Sequence, residues 1–325
     1  MGRIGKVYFI GAGPGDPGLC SYKGLRKIKQ ADVIIYDRLV NKMLLQLSKQ
    51  DAKLIYVGKN PDVNYIKQHE INSLIYEYAK EGHIVARLKG GDPGIFGRLS
   101  EEIDTLKSEI PFEVIPGITS ASAASLYAGF PLTDRQYSPH VTFATGHLQK
   151  DSVREIDFQA LAKGGTLALY MGMKELPNIV NILSEENEAT LPVAVIGNGT
   201  YGYQKTVTGD LSNIVALVTE ADIKHPAMII VGDVVKCRKN ESWFEQMPDH
   251  NRKILIVNDE KSDVESVLEM YDDGGYYYLI DGLNDAYHVQ KYIEIHQTQL
   301  HEIQFDEIRF TSENAKYLFQ KTFHL

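Results

Sequence analysis

Apolar residues in this chain fall into short runs separated by stretches of helical spacing. Up to residue 130, runs at 7–10, 33–36, 54–57, 84–88 and 112–115 predict short buried strands. Spaced apolar positions at 22–30, 42–47, 66–80 and 101–107 predict helices between them. Strands alternating with helices imply a mainly parallel sheet with both faces covered, an α/β fold. A turn at 115–120 (IPGITS) leads into a small-residue helix, 121–128, which backbone or ligand can approach closely. Residues 131–139 (PLTDRQYSP) read as a linker. A second α/β pattern follows, with strands at 141–145, 166–171, 193–197, 206–208 and 227–231 and helices at 158–162, 175–183 and 211–217. The short link between 197 and 206 predicts antiparallel pairing there. After residues 248–250 come strand patterns at 254–257, 276–280 and 307–310 and helix patterns at 264–270, 286–295 and 315–319. This last segment is small for an independent α/β unit and is expected to dock on the preceding domains or on a partner. The pattern divides the chain into domains 1–134 and 135–247 and an extension, 248–325.

Two glycine loops interrupt the pattern. The stretch 87–98, RLKGGDPGIFGR, places four glycines around Asp92 and Pro93 between a strand and a helix. Such a loop lets backbone come close to a ligand, although a tight αβ crossover uses the same residues. The other loop, 11–17 (GAGPGDP), also joins a strand to a helix. It fails the dinucleotide spacing, because Asp16 stands where G-x-G-x-x-G requires a third glycine. Pro14 also removes a backbone donor that a pyrophosphate would use.

The chain has 325 residues and a net charge of −9. From residue 251 onward there are 7 Lys and Arg against 14 Asp and Glu, so the acidity belongs mainly to the extension. No basic footprint suggests nucleic acid. A small anionic substrate needs only a local basic cluster. No apolar run is long enough to span a bilayer, and the opening residues offer no signal-peptide core. The two cysteines, Cys20 and Cys237, have no metal-ligand spacing and read as reduced thiols of a cytoplasmic protein. No metal site is expected.

Nine ordered motifs carry a resemblance: VYFIGAGPGDPGL (7–19), ADVIIYDRLV (31–40), YVGK (56–59), RLKGGDPGIFGR (87–98), IPGITSASAAS (115–125), TGHL (145–148), YMG (170–172), NGT (198–200) and PAMIIVGDVV (226–235). Through them the chain resembles the uroporphyrinogen-III C-methyltransferase group of the tetrapyrrole methylase family, over about residues 5–245. The resemblance implies two α/β domains with the active-site cleft between them, usually in a homodimer. It implies S-adenosyl-L-methionine as methyl donor, S-adenosyl-L-homocysteine as product, and methylation of uroporphyrinogen III at C2 and C7 to precorrin-2, for sirohaem or cobalamin synthesis. Carried over position by position, the cofactor contacts are Pro14, Gly90, Gly91, Asp92, Ile95, Thr119, Ser120, Met171, Gly199 and Ala227. Asp37 matches the proton acceptor and Lys59 the proton donor. An ordinary lysine pKa of about 10.4 makes carboxylate binding a natural alternative for Lys59. The substrate bears eight carboxylates, for which Arg38, Lys59, Arg98 and Arg135 are the candidate cations.

Departures from the family pattern stand at Gly94, Leu99-Ser100, Asp134, Gly197 and residues 60–69. Residues 305–320 (FDEIRFTSENAKYLFQ) resemble part of uroporphyrinogen-III synthase; a partial domain of this kind is expected to serve packing or association. Methylation of a later precorrin, or non-catalytic tetrapyrrole carriage, are the competing readings.

Overall fold

The computed structural model describes residues 4–58, 66–147, 156–185 and 189–324. The chain forms two compact units, one gathering Met1–Thr119 with Arg252–Leu325, the other comprising Ser120–Asn251.

The first unit opens with β1 (Lys6–Gly11), α1 (Tyr22–Ile28), β2 (Val33–Tyr36), α2 (Met43–Gln46), β3 (Lys53–Tyr56), α3 (Gln68–Lys80), β4 (Ile84–Lys89), α4 (Leu99–Asp104) and β5 (Phe112–Ile115). The strands are parallel, in the order β3-β2-β4-β1-β5. Side chains alternate across the sheet with period two. Tyr8 and Ile10 of β1 enter the core beside α1 and α2, with Ile28, Leu44 and Leu45. Val7 and Phe9 enter the opposite core, with Ile71 and Ile75 of α3. Helix α4 lies earlier than the spacing predicts, and Lys107 and Ser108 beyond it adopt positive φ, which no helix sustains.

The second unit comprises α5 (Ser120–Tyr127), β6 (Val141–Thr145), α6 (Phe158–Ala162), β7 (Thr166–Tyr170), α7 (Leu176–Ser184), β8 (Pro192–Gly197), β9 (Lys205–Asp210), α8 (Ile214–Glu220) and β10 (Ala227–Val231). Its sheet order is β6-β7-β10-β8-β9. Only β6 and β7 pair parallel; β10 runs antiparallel to both β7 and β8, and β8 and β9 pair antiparallel as their short link predicts. The sheet is therefore mixed. Residues 131–139 fold back on themselves: Asp134 and Ser138 exchange two backbone hydrogen bonds of 2.9 Å. The departure at Asp134 is thus a turn residue, whose Oδ1 accepts from Gln136 N at 2.8 Å. At Gly197 a Cβ would lie 2.8 Å from Ile223 Cγ2, which leaves little room for an acidic side chain.

The final segment adds β11 (Lys253–Val257), α9 (Val264–Glu269), β12 (Tyr276–Ile280), α10 (Ala286–Glu302), β13 (Glu307–Phe310) and α11 (Glu313–Phe323) to the first unit. Its three parallel strands are ordered β12-β11-β13. Helix α10 extends well beyond the predicted 295. Its buried side is formed by His288, Tyr292, His296 and Gln299, which hydropathy does not mark as core.

At the carboxyl end of the first sheet, the segments after β1, β4 and β5 meet backbone to backbone. A Cβ on Gly11 would lie 2.5 Å from Gly117 Cα, and one on Gly117 would lie 2.3 Å from Gly91 O. Gly91 N donates to Gly13 O at 2.7 Å, and Ala12 N to Lys89 O at 2.8 Å. Only glycine permits this approach. Gly117→Ala is expected to destabilise the chain by about 1–3 kcal/mol, the usual size of overpacking, seen as a lower midpoint in thermal unfolding.

Candidate active site

The loops that carry most of the sequence-predicted residues of the first unit leave the carboxyl ends of β1, β2, β4 and β5, where open parallel sheets bind ligands. Pro14 lies in the first loop, Asp37 and Arg38 in the second, Gly90, Gly91, Asp92, Ile95 and Arg98 in the third, and Thr119 in the fourth. Lys59 lies outside the described residues.

Asp92 ties two of these loops. Its Oδ1 accepts from Gly94 N at 2.8 Å within its own loop, and its Oδ2 accepts from Gly117 N at 2.9 Å in the loop after β5. Phe96 and Arg98 hold left-handed backbone conformations, φ 53° and 55°. Such strain persists where the surrounding structure fixes it. Asp16, which broke the dinucleotide spacing, accepts from Gly18 N at 2.7 Å and caps the 3₁₀ turn Pro17–Leu19.

Asp37 follows β2. Its Oδ1 accepts from Leu39 N at 3.1 Å, and its Oδ2 stands 3.6 Å from Arg87 Nη2. Arg87 is buried on β4, and its Nε donates to Glu102 Oε1 at 3.2 Å. Lys89, two residues on and so on the same face of the strand, also reaches Glu102 Oε1, at 2.8 Å. Gln68 Nε2 adds a third donor at 3.2 Å. Glu102 is fully buried on α4. Burial, then the charge of Arg87, pushes the Lys89 ammonium below its ordinary value, while Glu102 opposes the shift. Asp37 is therefore the outermost member of a buried network of two cations and two carboxylates. Sequence reading missed Arg87 as a partner of Asp37, and missed Lys89 and Glu102, because charged residues near a glycine loop read as solvent-facing.

A further cation underlies the Asp37 loop. Lys42 Nζ donates to the carbonyls of Asp37 and Val40 at 3.3 and 3.2 Å. It also lies 5.2 and 5.4 Å from the ring centres of Tyr36 and Tyr56. Burial lowers its pKa to about 8; Asp37 and Glu302 oppose the shift and Arg38 adds to it.

Arg38 is exposed. Arg98 is also exposed and forms a forked pair with Glu101, with contacts of 2.9 and 2.6 Å. Arg135 lies exposed in the 134–138 turn of the second unit.

In the second unit, Ala227 pairs opposite Gly197, and Met171 follows the carboxyl end of β7. Gly199 lies in the turn after β8, where a Cβ would meet Ala124 of α5 at 2.6 Å. Ser120 opens α5, its Oγ 3.5 Å from Met228 Sδ. Ser120, Met171, Gly199 and Ala227 therefore collect at one end of this sheet. Met171 is held at φ 58° with its side chain 59% exposed. An apolar thioether fixed outward in a strained conformation fits contact with an apolar part of a ligand. A cavity of about 290 Å³ elsewhere in this unit, lined by Met173, Leu176, Val215 and Ile223 among others, includes none of the predicted residues.

Removing one member of a buried ion cluster leaves the others uncompensated. Glu102→Gln is expected to destabilise by about 3–5 kcal/mol, whereas Arg98→Ala, which breaks an exposed pair, is expected to cost about 0–1 kcal/mol. Urea and thermal unfolding of the two variants measure the contrast.

The chain is similar to several known proteins. The profile of the tetrapyrrole (corrin/porphyrin) methylases matches residues 6–215. A uroporphyrinogen-III C-methyltransferase of Priestia megaterium is 52% identical over 236 residues, spanning 71% of this chain and 99% of the relative. A sirohaem synthase of Methylobacillus flagellatus is 46% identical over 248 residues, 75% of this chain; the match spans only 53% of that relative's length. A crystal structure of uroporphyrin-III C-methyltransferase from Thermus thermophilus, complexed with S-adenyl homocysteine, superposes with a TM-score of 0.61 at 33% identity, covering 71% of this chain and 99% of the other. No helix among the described residues is long and apolar enough to cross a membrane. The chain belongs to the tetrapyrrole methylase family.

Proposed function

We propose that this chain is an S-adenosyl-L-methionine-dependent methyltransferase that methylates uroporphyrinogen III at C2 and C7, giving precorrin-2 for sirohaem or cobalamin synthesis. The observation that carries the reading is the 52% identity to a uroporphyrinogen-III C-methyltransferase across 99% of that relative. A later precorrin as substrate and a non-catalytic carrier role are less favoured, since relatives this similar are named for the uroporphyrinogen-III reaction or for sirohaem synthesis.

S-adenosyl-L-methionine supplies a methyl group already activated on a sulfonium, so the protein's task is mainly positioning. In this reading Pro14, Gly90, Gly91, Asp92, Ile95, Thr119, Ser120, Met171, Gly199 and Ala227 hold it. Glycine backbone presents N–H and C=O groups without side chains in the way. Arg38, Arg98 and Arg135 receive substrate carboxylates by charge-assisted hydrogen bonds, Arg98 exchanging Glu101 for one of them. Methyl transfer to an electron-rich ring carbon leaves the macrocycle with a proton to lose, and Asp37 accepts it. The Arg87 guanidinium, 3.6 Å from Asp37 Oδ2, pairs with this carboxylate. Lys59 donates a proton or binds a carboxylate. The methylase domains are 1–134 and 135–247, with 248–325 as an extension related to part of uroporphyrinogen-III synthase, in a cytoplasmic homodimer.

Anaerobic incubation with S-adenosyl-L-methionine and uroporphyrinogen III, followed by mass spectrometry, is expected to give a product heavier by two methyl groups. Asp37→Ala is expected to lower the rate by about 10²-fold or more, the low end for loss of a general base, while still binding S-adenosyl-L-homocysteine. Cofactor binding without methyl gain overturns the substrate assignment.

Lys42 gives a pH dependence. Its folded pKa of about 8 lies below the ordinary 10.5, so the folded chain releases this proton first as pH rises. Between those values the unfolded chain holds more protons, and this group's contribution to stability rises with pH. Over the same window the Asp37 loop loses its cationic cross-link. Turnover is expected to fall with an alkaline midpoint near pH 8, and Lys42→Arg, which stays charged, to move that midpoint upward. Stopped assays across pH 7–10 test the shift.

A further inference from the structure

Asn41 ends the Asp37 loop and is 5% exposed. Its Nδ2 donates to Gly15 O at 2.7 Å, in the loop after β1. Its Oδ1 accepts from Met43 N at 2.9 Å, at the first residue of α2. The same Nδ2 lies 3.4 Å from Tyr271 Oη, and Tyr271 Oη donates to Tyr277 O at 2.5 Å. One buried amide thus joins the first glycine loop, the loop of Asp37 and the 252–325 segment.

Helix α2 is held from the same side. Gln46 Nε2 donates to Leu279 O at 2.7 Å, and Leu279 N donates to Met43 Sδ at 3.3 Å. Tyr292 Oη donates to Leu45 O at 3.2 Å, and Lys291 Nζ donates to Ser48 Oγ at 2.9 Å. Helix α9 packs on the Pro17–Leu19 turn, and Val264 and Ile295 pack against the core that contains Ile10, Leu44 and Leu45. The family profile ends at residue 215, so this support comes from outside the matched region. The Asp37 loop's other ties described above are Leu39 N on Asp37, Lys42 on the loop carbonyls, and Arg87 of β4 at 3.6 Å from Asp37 Oδ2.

We propose that Asn41 is a positioning residue for methyl transfer, locking the Asp37 loop to the Gly11–Pro17 loop, and that the 252–325 segment braces it from behind through Tyr271 and the contacts to α2. The role assigned to Asn41 rests on the reading of Asp37 given above. An asparagine suits the position because it offers a donor to one loop and an acceptor to the other from a single planar group. Asn41→Asp keeps the acceptor for Met43 N and removes the donor for Gly15 O.

The test uses the full chain and three variants. In Asn41→Asp, the dissociation constant of S-adenosyl-L-homocysteine by calorimetry is expected to rise at least tenfold and kcat at saturating donor to fall at least fivefold. In Tyr271→Phe, far from the reacting groups in sequence, both change in the same direction by at least threefold. Amide hydrogen exchange is then expected to quicken in 13–19 and 37–43 as well as in 271–280. Tyr317→Ala, at an exposed position on α11, leaves every value unchanged. A folded Asn41→Asp with both constants within twofold of the parent overturns the positioning role. Faster exchange confined to 271–280 in Tyr271→Phe, with unchanged kinetics, overturns the brace; this variant alone decides the proposal if Asn41→Asp does not fold. Loss of substrate methylation in the parent chain itself, with cofactor binding intact, overturns the substrate reading instead and leaves the affinity arm to judge Asn41.

Discussion

The loops of the first unit depend on a contact between backbones. Gly11, Gly91 and Gly117 meet where no side chain fits, at the carboxyl ends of three adjacent strands. Asp92 fastens the same place by accepting from Gly94 N and Gly117 N. Both carboxylate oxygens are thereby engaged within the protein. An Asp in a glycine-rich loop thus shapes the cradle directly, whatever else it touches. The glycines fix how near the loops approach, and the carboxylate fixes their register.

Beneath this junction lies a different kind of support. Arg87 and Lys89 share one fully buried carboxylate, Glu102, and Arg87 also faces Asp37. Buried charges are expensive unless paired, so a cluster of this kind has few acceptable arrangements. That restriction also holds the cation that faces Asp37 in one place. Lys42 contributes the same kind of order from below the loop, through carbonyl contacts and two tyrosine faces.

Much of the fold was legible because short apolar runs bounded by turn residues mark strands. β2, β5, β6 and β10 lie where those runs predict, and the antiparallel β8–β9 pair follows from its short link. The mixed character of the second sheet was not legible, since strand direction across β7, β10 and β8 depends on long-range pairing. Helix α10 was read short because its core side is made of His, Tyr and Gln, paired inside by contacts such as Tyr278 Oη with His296 Nδ1 at 2.9 Å. At the candidate site, motif spacing located the loops and Asp37. It was silent on Glu102, a buried acid that looks like a surface one, and on Asn41, whose partner Tyr271 is 230 residues away in sequence.

The small sheet of the final segment is lopsided. One margin, β12, spends the N–H and C=O of Leu279 on Met43 and Gln46 of α2. The other, β13, exposes Ile308 and carries Glu307 and Arg309 joined to each other at 2.6 Å. Strand addition needs a margin with backbone groups to offer. Helix α2 thus occupies part of one margin, and a pair of charges on the other discourages strand addition there.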